Sequence, residues 1–279
     1  METAQKNVLL RITEMYDKIF QAEKKVADFI LKNPELAVNA NVSELANYSG
    51  VSDATVIRLC KHLGYQGYYQ MKICLSRDIG RRYPAAGIQE KRDTSVGSMF
   101  RKMGDGIKVI GDTVNDRVFQ DSIQLIRKST MVHLVAAGNT SPLCMYCGYR
   151  MEHMGIRCSY NMQPEYYMNH INLAQPTDIV LAISWSGTSR SVVHAMELAK
   201  EKNMQTIAVT GYKSSPMAKV SDYLLISAPE GCGYNKFSSH SRLSEMAVVE
   251  GILLALENEL PSEMDEETEA EMLLSETKY

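Results

Sequence analysis

The chain has 279 residues, 45% of them hydrophobic and 23% charged, with a formal net charge of −3. These proportions describe a globular protein and exclude a membrane-spanning class, because no apolar run approaches the ~20 residues that a span needs. With no secretory signal at the N-terminus, the six cysteines are expected as reduced thiols of a cytoplasmic protein.

The length allows one large domain or two ordinary ones, and the charge distribution favours two. Residues 1–82 carry 12 Lys/Arg against 9 Asp/Glu, a balance of +3, which leaves −6 on the remainder. A mildly basic front on an acidic body is compatible with nucleic-acid binding.

The first 80 residues lack strand-like alternation and place apolar residues at helical spacing. "AEKKVADFILKN" sets Val26, Phe29 and Ile30 on one face, and Pro34 stops that helix at Asn33. Next comes "VSELANYSGVSDATVIRLCKHLG" (42–64). Ser43 is expected to cap a helix that turns Leu45 and Ala46 inward. Gly50 falls at a sharp turn needing positive φ, and Ser52 caps a second helix burying Val56, Leu59 and Leu63.

That pattern predicts a helix-turn-helix for double-stranded DNA. Opposite the buried stripe lie Ala54, Ile57 and Lys61, with Arg58 beside them. Ile57 suits a thymine methyl, Arg58 and Lys61 reach guanine edges or phosphates, and Ser52 and Thr55 stand ready at the helix start. The competing expectation is a small helical bundle that binds protein. The tyrosines of "GYQGYYQMK" (64–72) are expected mostly in the core.

Around "RRYPAAGIQEKRD" the pattern fades into a linker at 83–94. A helical stretch near 95–128 follows, and then the texture changes. "MVHLVAA" (131–137), "RCSY" (157–160), "DIVLAIS" (178–184), "QTIAVTG" (205–211) and "DYLLIS" (222–227) look like five buried strands, most of them separated by helical segments. Such alternation predicts a doubly wound parallel α/β sheet over 95–262. An acidic tail, 263–279, is expected to be helical.

Two strand ends are crowded with hydroxyls. "ISWSGTSR" (183–190) ends one strand and enters a helix, so Ser184, Ser186, Thr188 and Ser189 surround Gly187 where unpaired N–H groups and a helix dipole favour an anion. The first strand ends in "AAGNTSP", offering Gly138, Asn139, Thr140 and Ser141. Neither a triphosphate-binding lysine loop nor a dinucleotide glycine fingerprint is present, and a small phosphate monoester fits better. "CMYC" (144–147) is one Cys pair without a second, short of a zinc ligand set, and is expected to pack in the core. No metal or cofactor site is expected.

Both halves together resemble the RpiR-type transcriptional regulators, in which a helix-turn-helix domain precedes a sugar isomerase (SIS) domain. "AEKKVADFILKNPE", "SELANYSGVSDATVIRLCKHLGYQGYYQMK" and "ISWSGTSR" are similar to that family's signatures in order and spacing, the last to its S-x-S-G-x-[ST] loop. In the first loop Ala136 replaces the family's first glycine and Thr140 its serine. The resemblance implies a flavodoxin-like sheet, a phosphosugar effector, and homodimers or homotetramers joined through SIS domains. "SSHSRLSE" (238–245) resembles the stretch before the family's last helix, implying Ser239 and Arg242 in the site. An isomerase with an accessory helical domain is the alternative, with Glu152, His153, His170, His194, His240 and Glu245 as available acids and bases.

Overall fold

A computed structural model describes residues 8–82, 95–228 and 242–259. The linker at 83–94, the tail at 263–279, Cys232, Ser239 and His240 lie outside the described residues. The chain divides between Met99 and Phe100 into two compact units.

The first unit is helical: α1 (Val8–Met15), α2 (Gln21–Lys32), α3 (Pro34–Asn39), α4 (Val42–Ser49), α5 (Asp53–His62) and α6 (Tyr68–Arg82). Its core gathers Ile12, Val26, Ile30, Leu45, Ala46, Val56, Leu59 and Leu63, the residues whose helical spacing marks one buried face. Asn33 ends α2, and Pro34 opens α3 at a position where its missing N–H costs nothing.

Neither serine caps as expected: Ser52 holds the N-cap position of α5 without a side-chain capping hydrogen bond, and at α4 the cap falls on another residue. Asn41 caps α4, accepting from the Glu44 N–H at 2.9 Å, while the Glu44 carboxylate accepts from the Asn41 N–H at 3.0 Å. Ser43 is buried instead and donates to Asp53 Oδ2 at 2.6 Å, tying α4 to the start of α5. A serine two residues past a better-placed asparagine loses the capping position to it.

α7 (Val96–Thr113) and α8 (Asp116–Lys128) precede the sheet: β1 (Val132–Ala136), α9 (Ser141–His153), β2 (Cys158–Ser159), α10 (Pro164–Leu173), β3 (Ile179–Ile183), α11 (Arg190–Glu201), β4 (Gln205–Thr210), α12 (Pro216–Val220), β5 (Tyr223–Ile226) and α13 (Leu243–Asn258). All five strands are parallel, in the order β2-β1-β3-β4-β5. Leu134, Leu181, Ile207 and Leu225 form one core with Ile123 and Ile126 of α8, Cys144, Cys147 and Met151 of α9, and Val249, Ile252 and Leu253 of α13. Val135, Val180, Ala182 and Ala208 face the other way, onto Tyr167, Ile171, Val192 and Met196 of α10 and α11. Strands buried on both faces explain why they read as continuous apolar runs rather than alternating ones.

The strand order reverses between β1 and β3. Their register sets Ala136 opposite Ile183, so the two hydroxyl-rich loops leave the sheet side by side at the switch point.

Candidate ligand loop and DNA-binding helix

Gly187 decides the shape of the 184–189 loop. Its φ is +61°, and a Cβ there would stand 2.2 Å from Ser215 Oγ and 2.4 Å from Ser215 Cβ. The loop is therefore pressed onto the end of the next strand. Thr210 Oγ1 and the Gly211 N–H donate to the Trp185 carbonyl at 3.1 and 3.0 Å, and the Met217 N–H donates to the Gly187 carbonyl at 3.0 Å. The Gly187 N–H donates to the Ser184 carbonyl at 3.1 Å. Among the described residues, the N–H groups of Ser186, Ser189 and Arg190 make no hydrogen bond. Carbonyls held inward and amides left open at the start of a twelve-residue helix make a cradle for an anion.

The hydroxyls bond one another. Ser186 Oγ is 2.9 Å from Thr188 Oγ1 and accepts from the Thr188 N–H at 3.3 Å, and Ser184 Oγ is 3.4 Å from Ser189 Oγ. Ser184 is nearly buried, while Ser186, Thr188 and Ser189 are half-buried.

The first loop differs. Gly138 has φ +65° with nothing within 4 Å of a built Cβ, so it fronts open space beside exposed Asn139. Thr140 turns away: it is buried and donates to the Ala137 carbonyl at 3.0 Å. Ser141 is half-buried at the start of α9, with Pro142 in its first turn.

Arg242 comes to the second loop from the last helix. Its guanidinium lies 5.7 Å from the centre of the Trp185 ring, and its Nη1 pairs with Glu245 Oε1 at 2.7 Å. Glu245 is fully buried; burial pushes its carboxyl up and Arg242 pulls it back. Sequence reasoning missed Thr210 and Ser215, which hold the loop from behind. Their signal was a third hydroxyl-rich strand end, "TGYKSSP".

Among the described residues, the acids and bases weighed for an isomerase lie elsewhere, Glu245 apart. Glu152 accepts from Tyr160 Oη at 2.7 Å and His153 packs on the Tyr149 ring, both at the C-terminal end of α9. His170 pairs its ring with His133 at 6.5 Å, and His194 lies within α11. Cys144 and Cys147 are buried in the core and their thiols are pushed up by burial, which removes the thiolate that redox chemistry needs. Among the described residues no group of three metal-ligating side chains forms. An open groove of about 630 Å³, lined by Met145, Glu152, Tyr160, Asn161, Met162 and Gln163, shares no lining residue with either loop.

In the first unit, Gly50 adopts φ 62°, ψ 43° between α4 and α5, as the turn requires. Lys61 and Ala54 are exposed on α5 and Ile57 is half-exposed. Ser52 sits at the N-cap position with its Oγ 3.1 Å from Thr55 Oγ1. Thr55 is buried, so its hydroxyl serves this local pair rather than the surface. Arg58 has a second duty: its Nε pairs at 3.1 Å with Glu23, a fully buried carboxylate on α2 that also meets His62 Nδ1 at 2.9 Å. Tyr65 is core, Tyr68 is half-buried and bonds the Ala37 and Ala40 carbonyls, and Tyr69 is exposed.

Two family descriptions match the chain: a helix-turn-helix domain of the rpiR family over residues 6–82, and a SIS domain over residues 125–248. An uncharacterized HTH-type transcriptional regulator of Thermotoga maritima is 25% identical over 98% of this chain and all of its own. The HTH-type transcriptional regulator HexR of Pseudomonas aeruginosa is 26% identical over 81% of this chain and 80% of its own. Among solved structures, the Vibrio vulnificus NanR protein complexed with ManNAc-6P superposes with a TM-score of 0.82 at 20% identity, covering 98% of this chain and 99% of that one. That likeness extends the fold agreement over both units. Among the described residues, no helix is long and apolar enough to cross a membrane.

Proposed function

We propose, for a chain that belongs to the rpiR family of helix-turn-helix regulators and carries a SIS domain, that it is a DNA-binding transcriptional regulator whose operator affinity responds to a phosphorylated sugar. The observation that carries the effector half is the 184–189 cradle, with carbonyls bonded inward and amides of Ser186, Ser189 and Arg190 open at a helix start. The phosphosugar named with NanR supports the same ligand class for this chain.

In this reading the phosphate sits on the amides and hydroxyls of Ser184, Ser186, Gly187, Thr188 and Ser189. Gly138, Asn139 and Ser141 of the neighbouring loop meet the sugar, with Thr140 shaping that loop from inside. Arg242 closes the site over Trp185, and Ser239 belongs to the segment leading to it. The dianion gains from a fixed dipole and from donors that lack protein acceptors, so little rearrangement opposes binding. DNA is read by the exposed face of α5: Lys61 and Ile57 directly, Ser52 at the helix start, and Arg58 from its anchored position on Glu23. Thr55 contributes by orienting Ser52 and Arg58.

Coupling between such sites is typically ~1–3 kcal/mol, enough to shift operator affinity five- to 150-fold. The protein is placed in the cytoplasm as a homo-oligomer, and its SIS domain binds sugar phosphate without converting it. The test is a thermal-shift screen of phosphorylated sugars followed by gel shifts on the promoter of its own gene. A specific sugar raises the melting temperature and changes DNA affinity by the same ligand. No melting shift with any sugar phosphate, or no DNA retention, overturns it; turnover of a sugar phosphate that depends on Glu245 establishes the isomerase instead.

A further inference from the structure

Glu23 has more partners than its own helix needs. It stands fully buried in the first turn of α2, where its Oε2 accepts from the Phe20 N–H at 3.1 Å and closes that turn. A glutamine closes such a turn equally well. The carboxylate does something further: its Oε1 takes Arg58 Nε at 3.1 Å, and its Oε2 meets His62 Nδ1 at 2.9 Å, both partners lying on α5 one turn apart. A charge taken wholly out of water is costly, and a buried ion pair often returns no more stability than well-packed apolar side chains would. Stability alone is a poor reason for a carboxylate here.

Its partners point to another reason, because they reach the surface of α5. The side chain of Arg58 is 54% exposed and that of His62 39%. Arg58 Nη2 lies 3.4 Å from Thr55 Oγ1, which is itself 3.1 Å from Ser52 Oγ, so one chain of contacts runs from the buried carboxylate to the start of α5. Among the described residues Arg58 Nη1 makes no hydrogen bond. A guanidinium is planar, so holding its Nε and one Nη sets the direction of every remaining N–H. His62 and the Phe20 N–H, both on Oε2, keep the carboxylate from turning away from Arg58.

We propose that Glu23 is a specificity-determining residue of the helix-turn-helix, which aims Arg58 at one acceptor on the DNA and keeps its charge from serving every phosphate alike. The inference deepens the regulator reading and rests on it. An unrestrained arginine pairs with whichever phosphate is near, which adds affinity for all sequences and discrimination for none. A guanidinium already held by Nε has lost much of its freedom before DNA arrives, and its paired charge adds less to indiscriminate attraction. What is left is a directed set of donors, the kind that reads a guanine edge.

The sign of the effect separates this role from a structural one. Removing the charge of Glu23 should lower discrimination while affinity for DNA at large holds or rises. A variant that merely folds less well loses both together.

The test uses the full chain and a duplex that the wild type enriches from a random-sequence library, compared with the unselected library by fluorescence anisotropy at several salt concentrations. Glu23→Gln, which keeps the bond from Phe20, is expected to lower the ratio of the two affinities roughly 2- to 10-fold. Its affinity for the unselected library should stay level or rise, with a salt dependence steeper by up to about one phosphate contact. Arg58→Lys keeps the charge but lacks the Nε–H, and should lose the ratio to a similar extent; it decides the matter if circular dichroism shows Glu23→Gln unfolded. In an Arg58→Lys background, Glu23→Gln should change the ratio no further. An unchanged ratio in either folded single variant overturns the proposal, as does an equal loss of affinity for both DNAs. A wild type that enriches no duplex sinks the regulator reading and this inference with it, whereas a Glu23→Gln chain that enriches the wild-type duplex as strongly sinks this inference alone.

Discussion

Gly50 and Gly187 share a backbone angle, φ +62° and +61°, one in each unit of the chain. At Gly50 a Cβ would meet nothing within 4 Å; at Gly187 it would collide with Ser215 at 2.2 Å. The turn of the helix-turn-helix is therefore a local backbone device that needs only a left-handed residue. The cradle is a packed device, pressed into shape by the end of β4 and the start of α12. The contrast extends to chemistry. In the proposed reading the first unit offers side chains to DNA, while the second offers backbone amides whose direction the packing sets.

The largest expected effect follows directly. Gly187→Ala adds left-handed strain of ~1–2 kcal/mol to a steric cost of ~1–3 kcal/mol, so the second unit should lose about 3 kcal/mol and all response to sugar phosphate. Gly50→Ala should carry the strain alone, about 1–2 kcal/mol, and keep DNA binding. Urea unfolding of both variants measures the difference. Equal losses would erase the distinction between a local turn and a packed loop.

The next effect divides two basic residues on one helix. Arg58 is about half exposed but anchors the buried Glu23, so Arg58→Ala should cost about 2 kcal/mol, below the ~3–5 kcal/mol of a wholly buried pair. Lys61→Ala should leave stability within ~0.5 kcal/mol and lower the salt dependence of DNA binding by about one phosphate contact. Melting curves and fluorescence anisotropy at several salt concentrations separate the two roles. An Arg58→Ala variant as stable as the wild type would return Arg58 to the purely DNA-facing set.

These cases show where the sequence was legible. All five strands lie within the segments that announced them, and for β1, β3 and β4 the reason is that a parallel sheet buried on both faces leaves no room for polar alternation. Gly50 was legible too, since a glycine between two capped helical patterns has few other uses. The fate of polar side chains was not. Arg58 reads as a free cation until Glu23, 35 residues earlier, is placed beneath it. Thr140 reads as a ligand hydroxyl until its own loop's carbonyl claims it. Asn41 and Ser43 are both acceptable caps, and only the start of the helix chooses between them. Long-range pairing decides each of these, and it leaves no periodic trace.

A smaller effect probes the cradle itself. Among the described residues Ser186 Oγ bonds only within its own loop, so Ser186→Ala should change stability by no more than about 1 kcal/mol. The same variant should lose most of the stabilisation by ligand, which at a hundredfold excess over Kd is about 2.7 kcal/mol. Retention of the full melting shift would mean that the amides hold the phosphate unaided, sharpening the contrast with the side-chain-driven first unit.

The smallest effect concerns acid. His133 is buried at the start of β1, its Nδ1 2.8 Å from Ser159 Oγ and its Nε2 3.6 Å from Asp178 Oδ2. Burial pushes its imidazole below the ordinary 6.5, against the opposing pull of Asp178. The unfolded chain then takes up this proton before the folded one does. Stability of the second unit is complete above pH 6.5 and falls as pH drops below it, until folded His133 is itself protonated. The slope from this one residue cannot exceed about 1.4 kcal/mol per pH unit. His133→Gln should flatten the wild-type curve as pH falls below 6.5. The first unit holds no buried histidine among its described residues. If His133→Gln and the wild type lose stability in parallel over that range, the acid sensitivity lies in other groups and the two units do not differ in this respect.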